Sequence, residues 1–398
     1  MDSANIIAVR IRFLKVILNV DAITQPITGI GQYTLNLGQR LQQLPTIEQL
    51  RLFAADRWVS ELNPNAPHSR WLGRLRRWVP FKSLALNAYA KRRSSKFTQL
   101  ASGLEDHVLH SPNFVLMPFD GPSVATFHDL SFVHYRDTQP TYRLRFLDRE
   151  IPKTLAQAQV LITPSAHVKQ EVIDHYGFPA DRIHVTPLGV SDQFKPYDQQ
   201  ATEVTLAHAG LKYKSYVLSV ATTEPRKNLE RLLTAYAQLP TPLRQNFPLV
   251  LVGSTGWLNQ QLNQTIQSLV NKGEIMSLGY VDEKVLQHLY AGARVVALPS
   301  LYEGFGLPVI EAMASGTAVL TSAGSAMQEV AAGHACLCDP LAVDDMAAGL
   351  QNLLEDDKQA ASLASAGLAH SQSFSWQCCA ELTAAAYAAA SDLPINSI

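Results

Sequence analysis

The chain of 398 residues has only four cysteines, Cys336, Cys338, Cys378 and Cys379, all in its last quarter. So few exclude a small disulfide-stapled scaffold. An adjacent pair such as Cys378 and Cys379 cannot easily aim at one ion, so a zinc-binding pattern is missing as well. The four are read as small buried apolar residues. Charge of one sign is also lacking. Lys and Arg number 33 against 34 Asp and Glu, a net charge of −1, so the molecule is not built to grip a polyanion and no nucleic-acid partner is expected. No apolar run approaches the ~20 residues that a membrane-spanning helix needs. The apolar patch Ile6–Val9 is too short for the core of a secretory signal, and no small-residue cleavage site follows it. The expected location is the cytoplasm, with attachment to the inner face of the plasma membrane left open.

With 47% hydrophobic residues, the chain can fill sizeable cores, and at this length two of them are expected rather than one. Short apolar runs alternate with helical patterns throughout. Strands are predicted at 14–20, 50–55, 107–110, 124–127, 160–163 and 183–187 in the first half, and at 216–221, 249–253, 275–278, 294–298 and 318–321 in the second. Amphipathic helices are predicted between them, at 228–238, 283–293 and 308–314 for example. Strand and helix alternating twice over predict an α/β chain with two Rossmann-like, doubly wound domains facing a central cleft. Pro196 and the polar run 197–203 interrupt the periodicity. The expected division is therefore residues 1–195, residues 205–375, and a final helix, 376–398.

The segment Pro299-Ser-Leu-Tyr-Glu-Gly-Phe-Gly-Leu-Pro-Val-Ile-Glu311 is the richest in chemical meaning. It follows a predicted strand and opens a helix. Gly304 and Gly306 let backbone approach a ligand, and the helix behind them directs unpaired N–H groups and a positive dipole at it. Glu303 and Glu311 can reach one pocket, where a carboxylate accepts hydrogen bonds from vicinal hydroxyls. Two Glu at that spacing recur by chance, but here they sit within P-S-x-x-E-G-F-G-L-P-x-x-E-A-M-A-x-G. A second element, Ser219-Val-Ala-Thr-Thr-Glu-Pro-Arg-Lys-Asn228, runs from strand to helix and places Arg226 and Lys227 where a diphosphate above the sheet would lie. An isolated Arg-Lys pair would read as a solvated helix end.

The first segment resembles the E-x7-E motif of the retaining family 4 glycosyltransferases, of the type called GT-B. The second is similar to the E-P-R-K-N variant of that family's usual G-R-L-x-x-x-K-G, with Thr222 where Arg is common. The resemblance covers residues 215–375 and scattered motifs before them, and the closing stretch from Phe374 looks like the family's helix that crosses back onto the first domain. It implies a hexosyltransferase using a nucleotide-sugar donor and a sugar or lipid-linked glycan acceptor. Glu311 would hold the ribose hydroxyls, Glu303 the donor sugar, and the backbone of Gly304, Phe305, Gly306 and Leu307 the sugar hydroxyls and phosphate. Lys227 and Arg226 would meet the leaving diphosphate, so neither a metal nor a separate cofactor is expected. Gly253 ends a strand, and Tyr280 and Val281 would lie beside the base. Gln328 stands where the family often has Pro before Glu329.

In the first half, Thr28-Gly29-Ile-Gly31-Gln-Tyr33 resembles the family's glycine loop over the donor diphosphate, without the spacing of a dinucleotide fingerprint. Thr126-Phe-His128-Asp129 matches its H-D pair, and His128 is expected to donate a hydrogen bond to a sugar hydroxyl. The pattern T-G-I-G-x-Y with H-D-L and E-P-R-K-N looks most like mannosyltransferases of bacterial surface polysaccharide assembly, including lipopolysaccharide. GDP-mannose is therefore the favoured donor, with a UDP-hexose as the other. A GT-B nucleotide-sugar epimerase and a non-catalytic nucleotide-sugar-binding protein remain as alternatives.

Between Leu62 and Leu104 there is no acidic residue. Arg70, Arg74, Arg76, Arg77, Lys82, Lys91, Arg92, Arg93 and Lys96 lie in that stretch, with Trp71, Trp78 and Phe81 among them. Such a segment can lie on an anionic membrane or form a solvated helical face. Each cation near such a surface contributes about 1 kcal/mol. The membrane reading predicts co-sedimentation with vesicles containing anionic lipid, weakened by salt, and none with neutral vesicles. Arg74→Glu, Arg76→Glu and Arg77→Glu together should abolish it; equal sedimentation of this variant would leave only the solvated face.

Overall fold

The computed structural model describes residues 13–25, 27–64, 82–254 and 260–395. Arg70, Arg74, Arg76 and Arg77, the two tryptophans and Phe81 of the basic stretch lie outside them, as does Ile6–Val9. Two sheets organise the chain. The first contains β1 (Leu14–Asn19), β2 (Ile47–Ala54), β3 (Arg57–Val59), β4 (Val108–Ser111), β5 (Ser123–Thr126), β6 (Val160–Thr163) and β7 (Ile183–Val185) in the order β3-β2-β1-β4-β5-β6-β7. The second contains β8 (Val217–Val220), β9 (Leu249–Val252), β10 (Ile275–Gly279), β11 (Val295–Leu298), β12 (Ala318–Ser322) and β13 (Cys336–Cys338) in the order β10-β9-β8-β11-β12-β13. All pairings are parallel except β2 with β3.

The apolar runs explain the strands. Helices cover both faces of a parallel sheet, so its strands need no alternation, and Val-Leu-Ile-Thr of β6 or Val-Val-Ala-Leu of β11 is buried at every residue. Two strands were not predicted. Arg57-Trp-Val59 is short and polar at its start, and returns antiparallel after a turn with Ala55 at φ 57°. The Ala55 N–H is held there by Asp21 Oδ1 at 2.6 Å. Cys336-Leu-Cys338 is only three residues long. Cys338 and Cys379 are buried, as expected of small apolar residues, but Cys336 is half-buried and Cys378 exposed.

In each sheet the order reverses direction beside the first strand, between β1 and β4 and between β8 and β11. Open parallel sheets leave a crevice at such switch points, outside the strand C-termini. The last helix, Trp376–Asp392, packs on the first unit against the Gly29–Leu41 helix and β6. Its buried Tyr387 donates its hydroxyl hydrogen or accepts at His110 Nδ1, 2.7 Å away, while His110 Nε2 meets Thr126 Oγ1 at 2.8 Å. Burial holds the His110 pKa down at about 3, so the ring stays neutral. Tyr387→Phe strands one buried nitrogen of that ring. Denaturant unfolding should show a loss of about 1–3 kcal/mol; unchanged stability would mean that the hydroxyl does not tie the helix down.

Candidate active site

The loops after β8 and β11 are adjacent because the strands are adjacent, although the residues involved lie more than seventy positions apart. Asn228 stitches the two loops together. It sits in the left-handed region at φ 60°, which Asn tolerates, and its Nδ2 donates to Pro299 O at 2.9 Å and Pro340 O at 2.7 Å. Leu301 N adds a backbone bond to Arg226 O at 2.7 Å.

Within this frame Arg226, Lys227 and Glu303 form one cluster. Arg226 Nη1 donates to Glu303 Oε2 at 2.7 Å, and Lys227 Nζ is bonded to Glu303 Oε1. Arg226 Nε reaches Glu224 Oε2 at 3.0 Å, and Thr222 Oγ1 donates to the other oxygen of Glu224 at 2.8 Å. Ser300 Oγ donates to Glu303 at 3.1 Å. All four charged side chains are mostly buried, with 10–16% of their surface exposed. Burial alone would raise the Glu303 pKa, but the fields of Lys227 and Arg226 outweigh it and hold the carboxyl at about 2. The guanidinium of Arg226 is likewise opposed by burial and favoured by Glu303, Glu224 and Asp129. Sequence reasoning missed Glu224, and took the cations and Glu303 as facing separate parts of a ligand. The structure joins them. The E-P-R-K run did place Glu224 beside the cations, and that was the available signal.

Glu311 lies in the Leu307–Ala314 helix, and its Oε2 accepts from the Tyr290 hydroxyl at 2.9 Å. Burial raises its pKa to about 7, against the lowering effect of the tyrosine bond. Gly306 begins that helix at φ 107°. Phe305 packs its ring on Phe374, so only its backbone can serve a ligand, and Leu307 is half-buried. Gly253 N donates to Gly279 O at 2.9 Å, bringing together the ends of β9 and β10; the half-buried Val281 and the Tyr280 ring, 62% exposed, follow. Gln328 does without the family's proline: its side-chain oxygen accepts from Gly324 N at 2.6 Å and closes the loop.

The first unit meets this site from across the cleft. A Cβ on Gly304 would overlap the His128 carbonyl oxygen, so only glycine allows the two loops to touch. Gly29 and Gly31, expected in a loop, instead form the first turn of the Gly29–Leu41 helix, capped by Thr28. A Cβ at Gly31 would lie 2.7 Å from Ala22 O, whereas Gly29 faces open space. His128 Nε2 lies 2.9 Å from Pro112 O, which can only accept, and the ring packs edge-on to Tyr33 at 4.8 Å. Burial lowers the His128 pKa. In the neutral ring Nδ1 is then an acceptor, so the expectation that His128 donates to a sugar hydroxyl is corrected. Of the basic stretch, Arg93 is paired with Asp21 at 2.6 Å and Arg92 with Asp56 at 3.4 Å. Among the described residues, no group of three His, Cys, Asp or Glu is placed to hold a metal, and no helix is long and apolar enough to cross a membrane.

Residues 27–194 match the family described as Glycosyltransferase Family 4, and residues 208–370 match Glycosyl transferases group 1. The O-antigen chain mannosyltransferase B of Escherichia coli is 34% identical over 378 residues, 94% of this chain and 99% of that protein. Two solved structures share the fold. Sucrose-phosphate synthase from Thermosynechococcus elongatus superposes with a TM-score of 0.73 at 21% identity, over 94% of this chain and 98% of that one. WaaG, a glycosyltransferase involved in lipopolysaccharide biosynthesis, does so with 0.70 at 16%, over 94% and 99%.

Glu311 generates a pH prediction. Hydroxyls donate to its anion, but near pH 7 the apo carboxyl is about half protonated, so binding of a ribose there must release a proton. Nucleotide affinity should fall as pH drops below about 7, approaching tenfold per unit. Calorimetry in two buffers of different ionisation heat should show the release, and Glu311→Gln should flatten the profile. Flat affinity in the wild type between about pH 6 and 8 would refute the ribose role. For folding, the raised value means a contribution fully present below the ordinary carboxyl pKa of 4.5 and lost as pH rises through about 7.

Proposed function

The chain belongs to the family 4 glycosyltransferases, retaining GT-B hexosyltransferases that draw on a nucleotide-sugar donor and a glycan acceptor, and we propose that it transfers mannose from GDP-mannose to a growing surface polysaccharide or other lipid-linked glycan. The observation that carries this reading is the cluster of Arg226, Lys227 and Glu303 at the joined ends of β8 and β11, one helical entry away from Glu311. Two cations there suit a diphosphate whose negative charge grows as the bond to the anomeric carbon breaks. Glu311 takes the ribose hydroxyls and Glu303, ionised at all ordinary pH, takes a hydroxyl of the donor sugar. The bond from the anomeric carbon to the phosphate oxygen breaks and the bond to the acceptor oxygen forms on the same face. The acceptor's proton goes to the departing diphosphate. His128 Nδ1 accepts from a sugar hydroxyl, and Tyr280 offers its exposed ring to the base.

The mannosyl donor is supported by the name of the Escherichia coli relative and by the motifs T-G-I-G-x-Y, H-D-L and E-P-R-K-N. We place the reaction in the cytoplasm, with the cations of the basic stretch 70–96 other than the paired Arg92 and Arg93 as the contact to the anionic membrane that carries a lipid-linked acceptor. Purified protein should release GDP from GDP-mannose only when a mannose-terminated acceptor is supplied, and the product should keep the donor's anomeric configuration. Turnover of a UDP-hexose in its place would remove the donor assignment. Release without acceptor would favour an epimerase.

A further inference from the structure

The side chain beside Glu303 finds its partners in the other half of the molecule. Tyr302 leaves the loop after β11, crosses the cleft and is 6% exposed. Its hydroxyl accepts from Leu130 N at 2.6 Å and donates to Glu171 Oε2 at 2.7 Å, both in the first unit. The ring is flanked by His134 and Tyr135, with centroids 5.5 and 5.6 Å away. Glu171 is itself held by His134 Nε2 at 3.0 Å and faces His167 at 3.6 Å. Leu130 follows His128 and Asp129, so the phenol grips the turn that carries the H-D pair. On its other side, the carbonyl of Tyr302 accepts from Arg226 Nη1 at 3.2 Å, and Glu303 is the next residue. Nearby, Ser165 Oγ donates to Gly304 O at 2.8 Å, and Glu329 accepts from Ala166 N and His167 N, both at 2.8 Å.

We infer that Tyr302 is a positioning residue that couples closure of the cleft to the arrangement of Glu303 and Arg226. Opening the cleft withdraws the phenol from its socket. The backbone that places Glu303 and receives Arg226 moves with it. Closure therefore sets the groups facing the donor sugar and diphosphate and, through Leu130, the turn bearing His128, in one movement. This rests on the transfer reaction proposed above. The hydroxyl itself touches no reacting atom. Burial, then the charges of Asp129 and Glu171, keep it protonated and able to donate. Across the cleft the charge of Asp129 also favours the Arg226 cation, while the contacts at Gly304 and Glu329 add to closure through other groups.

The test uses Tyr302→Phe, which keeps the ring and removes only the hydroxyl, with Glu171→Ala and the double variant. Calorimetry with GDP and UDP should give nucleotide affinities within about twofold of wild type, since those groups lie in the second unit. Turnover should fall by about tenfold or more in each single variant, and the double variant should lose little further, because both act through one bond. Small-angle scattering should show a larger radius of gyration for the variants. Undiminished turnover in Tyr302→Phe, or a radius equal to wild type, overturns the inference, as does a loss of nucleotide affinity equal to the loss of turnover. If wild type transfers no sugar, the functional reading fails while scattering still decides whether the phenol holds the cleft closed.

Discussion

Everything at the site depends on a buried carboxylate being outnumbered by its cations. Taken from water alone, Glu303 would hold a proton; with Arg226 and Lys227 against it, the ion is retained deep in the protein. That solution demands that two loops far apart in sequence be held side by side, and a parallel sheet reversing between β8 and β11 does so. Asn228 then fixes the separation of the loops, and Glu224 turns the guanidinium toward Glu303. Within a few ångströms the two cations are matched by Glu303 and Glu224, and the charge of Asp129 acts on Arg226 as well.

Much of this was legible because parallel strands have a plain signature. Unbroken runs such as Leu249–Val252 and Val295–Leu298 can be buried on both faces only in a covered sheet, and most strand cores lie where they were predicted. The exceptions, β3 and β13, are edge strands of three residues each. The glycines of the first unit were expected in a loop because the segment resembles the family's glycine loop, while in the structure Gly31 sits in the first turn of a helix and allows its close approach to Ala22.

For the candidate site, sequence revealed which residues carry charge but not which carry each other. Glu303 and Lys227 each stood out in a motif, yet nothing in either motif says that they form an ion pair across two loops. His128 was visible as a strand-end histidine, but its hydrogen-bonding sense is decided by the carbonyl of Pro112, sixteen residues away. Tyr302 was hidden most fully. It lies inside the most informative segment of the chain, and its partners, Leu130 and Glu171, belong to the other half of the molecule.

The two glutamates of the E-x7-E segment show how environment divides labour between like groups. Both are deeply placed, yet one is held near pKa 2 by cations and the other raised to about 7, with only a neutral tyrosine hydroxyl bonded to its carboxyl. In the proposed reaction this split has a use. A diphosphate that draws Lys227 toward itself loosens the Lys227 bond to Glu303 and frees an acceptor oxygen for a sugar hydroxyl, with Arg226 still holding the other oxygen. Glu311, with no cation bonded to its carboxyl among the described residues, gains as an anion when hydroxyl donors compensate its burial. Each carboxylate thus responds to a different part of a nucleotide sugar, and neither needs a neighbour beyond those already in the fold.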